Sequence, residues 1–166
     1  MSALKSNSLP LLNAVSGILA LAGLVEDTMG GTSGALYSIY LSALAQGVAQ
    51  TKESDVTISV ISKAAEFALT ALGKYTPARV GDRTLVDALD PFVKELNRSQ
   101  DLWKAVEAAR EGYVDWIRCL TSRAAETSKM TARLGRASYV GGESLPPDPG
   151  AVGLAALVEG IANALQ

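Results

Sequence analysis

The chain has 166 residues, of which 48% are hydrophobic and only 5% aromatic, and it carries a net charge of −2, one cysteine and no histidine. This length is enough for one domain with a buried core, and the abundance of Ala and Leu favours packed helices over a sheet. The composition argues against an electrostatic nucleic-acid binder, and it excludes an internal disulfide, a Cys/His zinc site and a Ser-His or Cys-His nucleophile pair.

The first element is an apolar stretch, residues 9–25, which follows Lys5 as the core of a signal peptide would. Polar residues and Gly17 interrupt this stretch, which is also too short and mixed for a membrane span. We therefore predict a helix over about residues 10–29 and no membrane association. A lone cysteine suits a reducing compartment, so the expected location is the cytoplasm.

Along the rest of the chain, apolar residues recur at helical spacing. They predict further helices at about 34–50, 56–72, from 82 or 84 onwards, 100–127 and 149–165. No period-two strand, internal repeat or domain boundary is evident. The predicted fold is therefore all-α, with about six amphipathic helices in one domain.

Polar residues of the capping type stand before three of these helices. Thr32 and Ser33 precede the second helix, and Asp148 precedes the last. Thr84, with Asp87 three residues later, resembles a capping box at the fourth helix. These residues are expected to bond to the first backbone N–H groups of the helices that they precede.

The segment 30–34, Gly-Gly-Thr-Ser-Gly, could cradle a phosphate. Glycines let backbone amides approach an anion, and a helix N-terminus adds N–H donors and a partial positive charge. The alternative is a tight turn between helices with ordinary capping. The segment is not a Walker A loop, because no Gly-Lys-Ser/Thr sequence follows it.

Two further polar loops contain an arginine. In the loop 81–84, Arg83 could meet a phosphate, whereas Asp82 could cap a helix. In the loop 135–148, Arg136 could hold a phosphate bidentately. Asp148, at the end of that loop, could either cap the last helix or accept a hydrogen bond from a ribose hydroxyl. The residues alone leave these alternatives open.

Taken together, these segments resemble the C-terminal, nucleotide-binding (DhaL-type) domain of the dihydroxyacetone kinases, in the same order along the chain. The matching stretches are 30–37 (GGTSGALY), 81–89 (GDRTLVDAL), 135–139 (GRASY) and 148–151 (DPGA). The resemblance covers essentially the whole chain. It implies an antiparallel barrel of amphipathic helices that binds ATP or ADP in loops at one end.

The resemblance also implies which residues contact the nucleotide. They are Thr32 and Ser33 at the phosphates, Arg136 at the phosphate or ribose, Gly73 and Leu85 around the base, and Asp148 and Gly150 lining the site. In such sites the protein mostly positions phosphates and neutralises their charge, so no catalytic side chain is assigned.

The chain departs from the family pattern in one respect. The family has a Gly-Asp-x-Asp-x-Gly segment upstream of the Gly-Gly-Thr-Ser-Gly loop, and its aspartates hold Mg²⁺. Here Asp27 is the one aspartate before Met29, and about six helices are expected instead of eight. Residues 1–166 are therefore expected to be a single, N-terminally incomplete domain that lacks the magnesium ligands, and phosphoryl transfer by the chain alone should be weak.

The family binds its sugar in a second domain through a reactive histidine, which this chain does not contain. Phosphorylation of dihydroxyacetone or a related small sugar would thus need that sugar-binding domain, or a second copy of the chain, as a partner. Two alternatives remain open. The chain could be a non-catalytic nucleotide-binding or regulatory paralogue, or a helical module that binds a partner.

Overall fold

The computed structural model describes residues 13–51, 55–110 and 147–165, and all regular secondary structure in these segments is helical. The helices are α1 (Ala14–Thr28), α2 (Gly31–Gln50), α3 (Ile58–Leu72), α4 (Val86–Ser99), α5 (Leu102–Arg110) and α6 (Pro149–Ala164). The predicted all-α class is confirmed. The chain divides into two compact units, Met1–Tyr75 and Thr76–Gln166, which are described separately below.

In the first unit, α2 packs against both α1 and α3. Its core is centred on Val48, Val60 and Ala64, and partly buried aliphatic side chains from all three helices pack around them. Gly47 lets α2 and α3 approach closely, because a Cβ atom at this position would lie 2.8 Å from the Cα atom of Ala64. The helix pair therefore depends on small residues where it crosses.

In the second unit, α4, α5 and α6 pack against one another. Each helix buries one apolar stripe, as the spacing of its aliphatic residues predicts. The buried residues include Leu89, Val93 and Leu96 of α4, Ala105, Val106 and Ala109 of α5, and Ala151, Leu154 and Ala155 of α6. The packing of this core fixes the N-termini of α4 and α6 within the second unit.

The start of α2 differs from the prediction. The helix begins at Gly31, Gly30 is its N-cap, and no side chain caps it. Thr32 and Ser33 consequently lie in the first turn of α2 and not in a capping position before it. Gly31 has a φ of +73°, a left-handed value that favours glycine, so the chain can enter the helix without a capping side chain.

The boundaries of α4 and α5 also differ. The helix α4 begins at Val86, later than predicted. Gln100, the predicted start of the fifth helix, instead ends α4 with a left-handed φ of 53°. Asp101 then caps α5, since its Oδ1 atom accepts hydrogen bonds from the N–H groups of Trp103 at 2.9 Å and Lys104 at 3.2 Å. The predicted continuation to residue 127 lies outside the described residues beyond Arg110.

The predicted cap of the last helix is confirmed. The Oδ2 atom of Asp148 accepts a hydrogen bond of 2.9 Å from the N–H of Ala151, and Pro149 occupies the first helical position. Within the segments that the structure describes, none of the helices is both long and apolar enough to cross a bilayer.

Candidate functional site

The first part of the candidate site is the start of α2. The first N–H groups of an α-helix have no acceptor within the helix, and the helix dipole places partial positive charge there. Thr32 and Ser33 occupy this first turn, with Thr32 exposed and Ser33 half-buried. Their hydroxyl groups and the backbone N–H groups together offer the donors that bind a phosphate.

Two glycines in this segment are required by the path of the chain. Gly31 adopts a positive φ, and a Cβ atom at Gly34 would overlap the carbonyl oxygen of Met29. These two positions thus have a purely steric reason to be glycine, independent of any ligand. The phosphate prediction depends instead on the exposed donors of the first turn.

Gly73 ends α3, as predicted. Its N–H donates to the carbonyl of Leu69 at 3.1 Å, and its φ of −61° is an ordinary right-handed value. Gly73 lies in the same unit as the first turn of α2, and its predicted contact with nucleotide stays a prediction.

The second unit brings together Leu85, Asp148 and Gly150. A Cβ atom at Gly150 would lie 3.3 Å from the Cβ of Leu85, 3.4 Å from the Leu85 backbone nitrogen and 2.9 Å from the Asp148 Oδ2 atom. An added methyl group would therefore require the Asp148 side chain to move and the start of α6 or Leu85 to shift by a few tenths of an ångström. These three residues, predicted to share a nucleotide site, form a single cluster.

The carboxyl group of Asp148 lies in a mixed electrostatic environment. Burial raises its pKa above the ordinary value, while hydrogen bonds from the N–H groups of Ala151 and Gly150 and the positive charge of Arg83 act in the opposite direction. Asp148 thus caps α6 and senses the charge of Arg83 at the same time. Its predicted contact with a ribose hydroxyl stays a prediction.

The side chains of Arg83 and Asp87 are more buried than the polar residues around them in the sequence would predict. The side chain of Arg83 is only 5% exposed, and its backbone is left-handed, with a φ of 60°. Asp87 is 2% exposed, and its two carboxylate oxygens accept hydrogen bonds from the N–H groups of Gly81 at 2.6 Å and Thr84 at 2.7 Å. The Thr84–Asp87 spacing predicted one of these two bonds.

Among the described residues, no group of three or more His, Cys, Asp or Glu side chains is arranged to hold a metal ion. The predicted lack of magnesium ligands stays a prediction, because Mg²⁺ is usually held by one or two carboxylates together with phosphate oxygens. Asp27 is exposed near the end of α1, and both oxygens of Asp87 bind backbone N–H groups. Arg136 lies outside the described residues, so its contact with phosphate or ribose also stays a prediction.

Comparisons with known proteins show the family to which the chain is similar. The family model described as "DAK2 domain" matches residues 2–163. The chain is 49% identical over 170 residues to dihydroxyacetone kinase 2 of Saccharomyces cerevisiae, an alignment that covers 98% of this chain and 27% of that protein.

Solved structures show the same similarity. The native crystal structure of the dihydroxyacetone kinase of C. freundii matches with a TM-score of 0.71 at 29% identity, over 98% of this chain and 26% of that one. The same kinase in complex with AMP-PNP and Mg²⁺ matches with a TM-score of 0.67 at 26% identity, over 98% of this chain and 25% of that one. The chain thus spans about a quarter of the length of the relatives that it matches.

Proposed function

Because the chain belongs to the family of DAK2 domains, we propose that it is the ATP- and ADP-binding domain of a dihydroxyacetone kinase. The observation that carries this proposal is the match over nearly the whole chain to a kinase whose crystal structure contains AMP-PNP and Mg²⁺. The cluster of Leu85, Asp148 and Gly150 supports it, because predicted nucleotide contacts from two distant parts of the sequence lie together.

Each of the two units contains residues that are proposed to contact nucleotide. The first turn of α2, with Thr32 and Ser33, offers donors for phosphate oxygens. Leu85 is proposed to lie near the base, Gly150 to line the site, and Asp148 to accept a hydrogen bond from a ribose hydroxyl. Gly73, at the end of α3, and Arg136 complete the proposed set of contacts.

The reaction is the transfer of a phosphoryl group from ATP to dihydroxyacetone or a related small sugar. The sugar would be held by a sugar-binding kinase domain or a second copy of the chain, since the nucleotide residues above include no group suited to bind it covalently. Mg²⁺ bridges and neutralises the phosphates in such reactions. We propose that groups outside the set of contacts above hold the ion and that the chain alone is inactive. The cytoplasmic location stays a prediction.

Calorimetric titration with ADP, with and without Mg²⁺, tests nucleotide binding directly. The Gly150→Ala variant tests where the nucleotide binds, because the added methyl group would contact the Asp148 carboxylate and Leu85. Gly160→Ala is the matched control, since a Cβ atom at Gly160 in the same helix has no neighbour within 4 Å. We expect Gly150→Ala to weaken ADP binding and Gly160→Ala to leave it unchanged. Equal affinities for all three proteins would place the nucleotide elsewhere.

Two alternatives make different predictions. A non-catalytic nucleotide-binding module would bind ADP with little dependence on Mg²⁺. The exposed apolar residues Leu157, Ile161 and Leu165 recur every four positions along α6 and favour a partner-binding helical module. A folded chain that binds no nucleotide but binds another protein through this row would support the latter.

A further inference from the structure

Asp87 lies in the first turn of α4 and is the most deeply buried acidic side chain described in the second unit. Burying a carboxylate costs free energy unless hydrogen bonds compensate for the lost water. Here each oxygen accepts one short bond from the backbone, at 2.6 Å from Gly81 and 2.7 Å from Thr84. Such charge-assisted bonds are stronger than neutral ones, so this carboxylate holds both ends of the segment 81–84.

The segment that Asp87 holds has an unusual backbone. Gly81 has a φ of +99° and Arg83 a φ of +60°, so two of its four residues are left-handed. A left-handed arginine is strained and persists only where the surroundings enforce it. The two bonds to Asp87 span this residue on both sides and supply that constraint.

Leu85 immediately follows the constrained segment. Its backbone nitrogen and Cβ atom are the groups that Gly150 approaches at the start of α6. Arg83, within the segment, is close enough to Asp148 for its charge to act on that carboxyl group. Any shift of the segment therefore moves Leu85 and Arg83 relative to Asp148 and Gly150.

We propose that Asp87 is a positioning residue for the nucleotide site: its carboxylate fixes the segment 81–84 and thereby sets Leu85 against Gly150. This inference depends on the proposed function, because Leu85, Asp148 and Gly150 are its proposed nucleotide contacts. Asp87 itself does not touch the nucleotide or a metal ion, since both its oxygens bind backbone N–H groups and the side chain is buried.

The test is the Asp87→Asn variant of the whole chain. The amide has nearly the same shape but turns one acceptor into a donor that faces a backbone N–H group. The matched control is Asp90→Asn in the same helix, because Asp90 makes a surface ion pair with Lys94 at 2.8 Å, and the Lys94 side chain is 73% exposed. Val93→Ala serves as a second control that removes buried apolar volume from α4 without touching the segment.

Two readouts are needed. Amide hydrogen exchange measures whether Gly81 and Thr84 lose protection, and calorimetry measures the dissociation constant for ADP at a temperature where every variant is folded. For Asp87→Asn we expect faster exchange at both amides and ADP binding weaker by about tenfold, the loss typical of a charged hydrogen bond. Asp90→Asn should change neither readout, and Val93→Ala should lower the midpoint of thermal unfolding but leave the ADP affinity unchanged.

Each contrary outcome has a distinct meaning. Unchanged exchange at Gly81 and Thr84 would overturn the hold of Asp87 on the segment. Faster exchange with unchanged ADP affinity, or an equal loss of affinity in Val93→Ala, would overturn its role in nucleotide binding. A folded wild-type chain that does not bind ADP would instead overturn the proposed function. If Asp87→Asn does not fold, Asp87→Glu, which displaces the carboxylate by one methylene, is judged by the same outcomes.

Discussion

The crossing of α2 and α3 at Gly47 predicts how a substitution there changes the free energy of unfolding. An alanine Cβ atom there would lie 2.8 Å from the Cα atom, 3.0 Å from the Cβ atom and 3.2 Å from the carbonyl oxygen of Ala64. Carbon atoms pack comfortably at about 3.5–4.0 Å, so the helices would have to separate by several tenths of an ångström. Two of these three neighbours are backbone atoms, which cannot rotate away.

The magnitude follows from two opposing effects. Overpacking of a core costs about 1–3 kcal/mol, while replacing glycine by alanine inside a helix contributes about 1 kcal/mol of stability. Gly47→Ala should therefore lower the free energy of unfolding by up to about 2 kcal/mol, which is the difference between these two contributions. Gly23→Ala, in α1 of the same unit, gains the helix contribution alone, because nothing lies within 4 Å of its Cβ position.

Urea unfolding followed by circular dichroism measures both changes. The expected result is a lower midpoint for Gly47→Ala and a higher midpoint for Gly23→Ala, with similar slopes. A shift of both variants in the stabilising direction would show that α2 and α3 do not approach as closely as described. A destabilised Gly23→Ala would refute the assumption that this position is open.

Two further predictions concern the segment 81–84 and the start of α6. Arg83→Gly should be more stable than Arg83→Ala by about 1 kcal/mol. Both variants lose the guanidinium group, and only glycine accepts the left-handed backbone without strain. Equal midpoints of unfolding for the two variants would contradict this prediction. Burial raises the pKa of Asp148 in the folded chain, so the folded state binds its proton more tightly than the unfolded state does. The wild-type chain should thus lose stability relative to Asp148→Asn, which keeps the cap, as the pH rises from the ordinary carboxyl pKa through the raised one. A stability difference between the two proteins that is constant with pH would contradict the pKa shift.

The positions of the helices could be read from the sequence because the evidence for them is local. The period of the apolar residues located α1 to α6, and the Asp148–Pro149 pair marked the start of α6. The start of α2 was misplaced, because Thr32 and Ser33 have good capping side chains while the chain actually enters the helix through Gly30 and a left-handed Gly31. Residue preference alone does not distinguish a capping position from the first turn.

Fewer contacts of the candidate site could be predicted from local sequence patterns. The spacing of Thr84 and Asp87 predicted their contact, but the bond from Gly81 to the same carboxylate depends on the left-handed conformation of Arg83 between them. Arg83 stands in a polar turn, which favours an exposed side chain, and its burial arises from tertiary packing. The contact of Gly150 with Leu85 joins distant parts of the chain, and only the family resemblance indicated it.

The central claim is that this chain binds adenine nucleotide through its own residues. Titration of the folded wild-type chain with ADP, in the presence and absence of Mg²⁺, tests it most directly. The account predicts measurable binding, and little dependence on Mg²⁺ if groups outside this chain hold the ion. Binding that requires Mg²⁺ would show that this chain contributes ligands to the ion, and absence of binding would contradict the nucleotide-binding function itself.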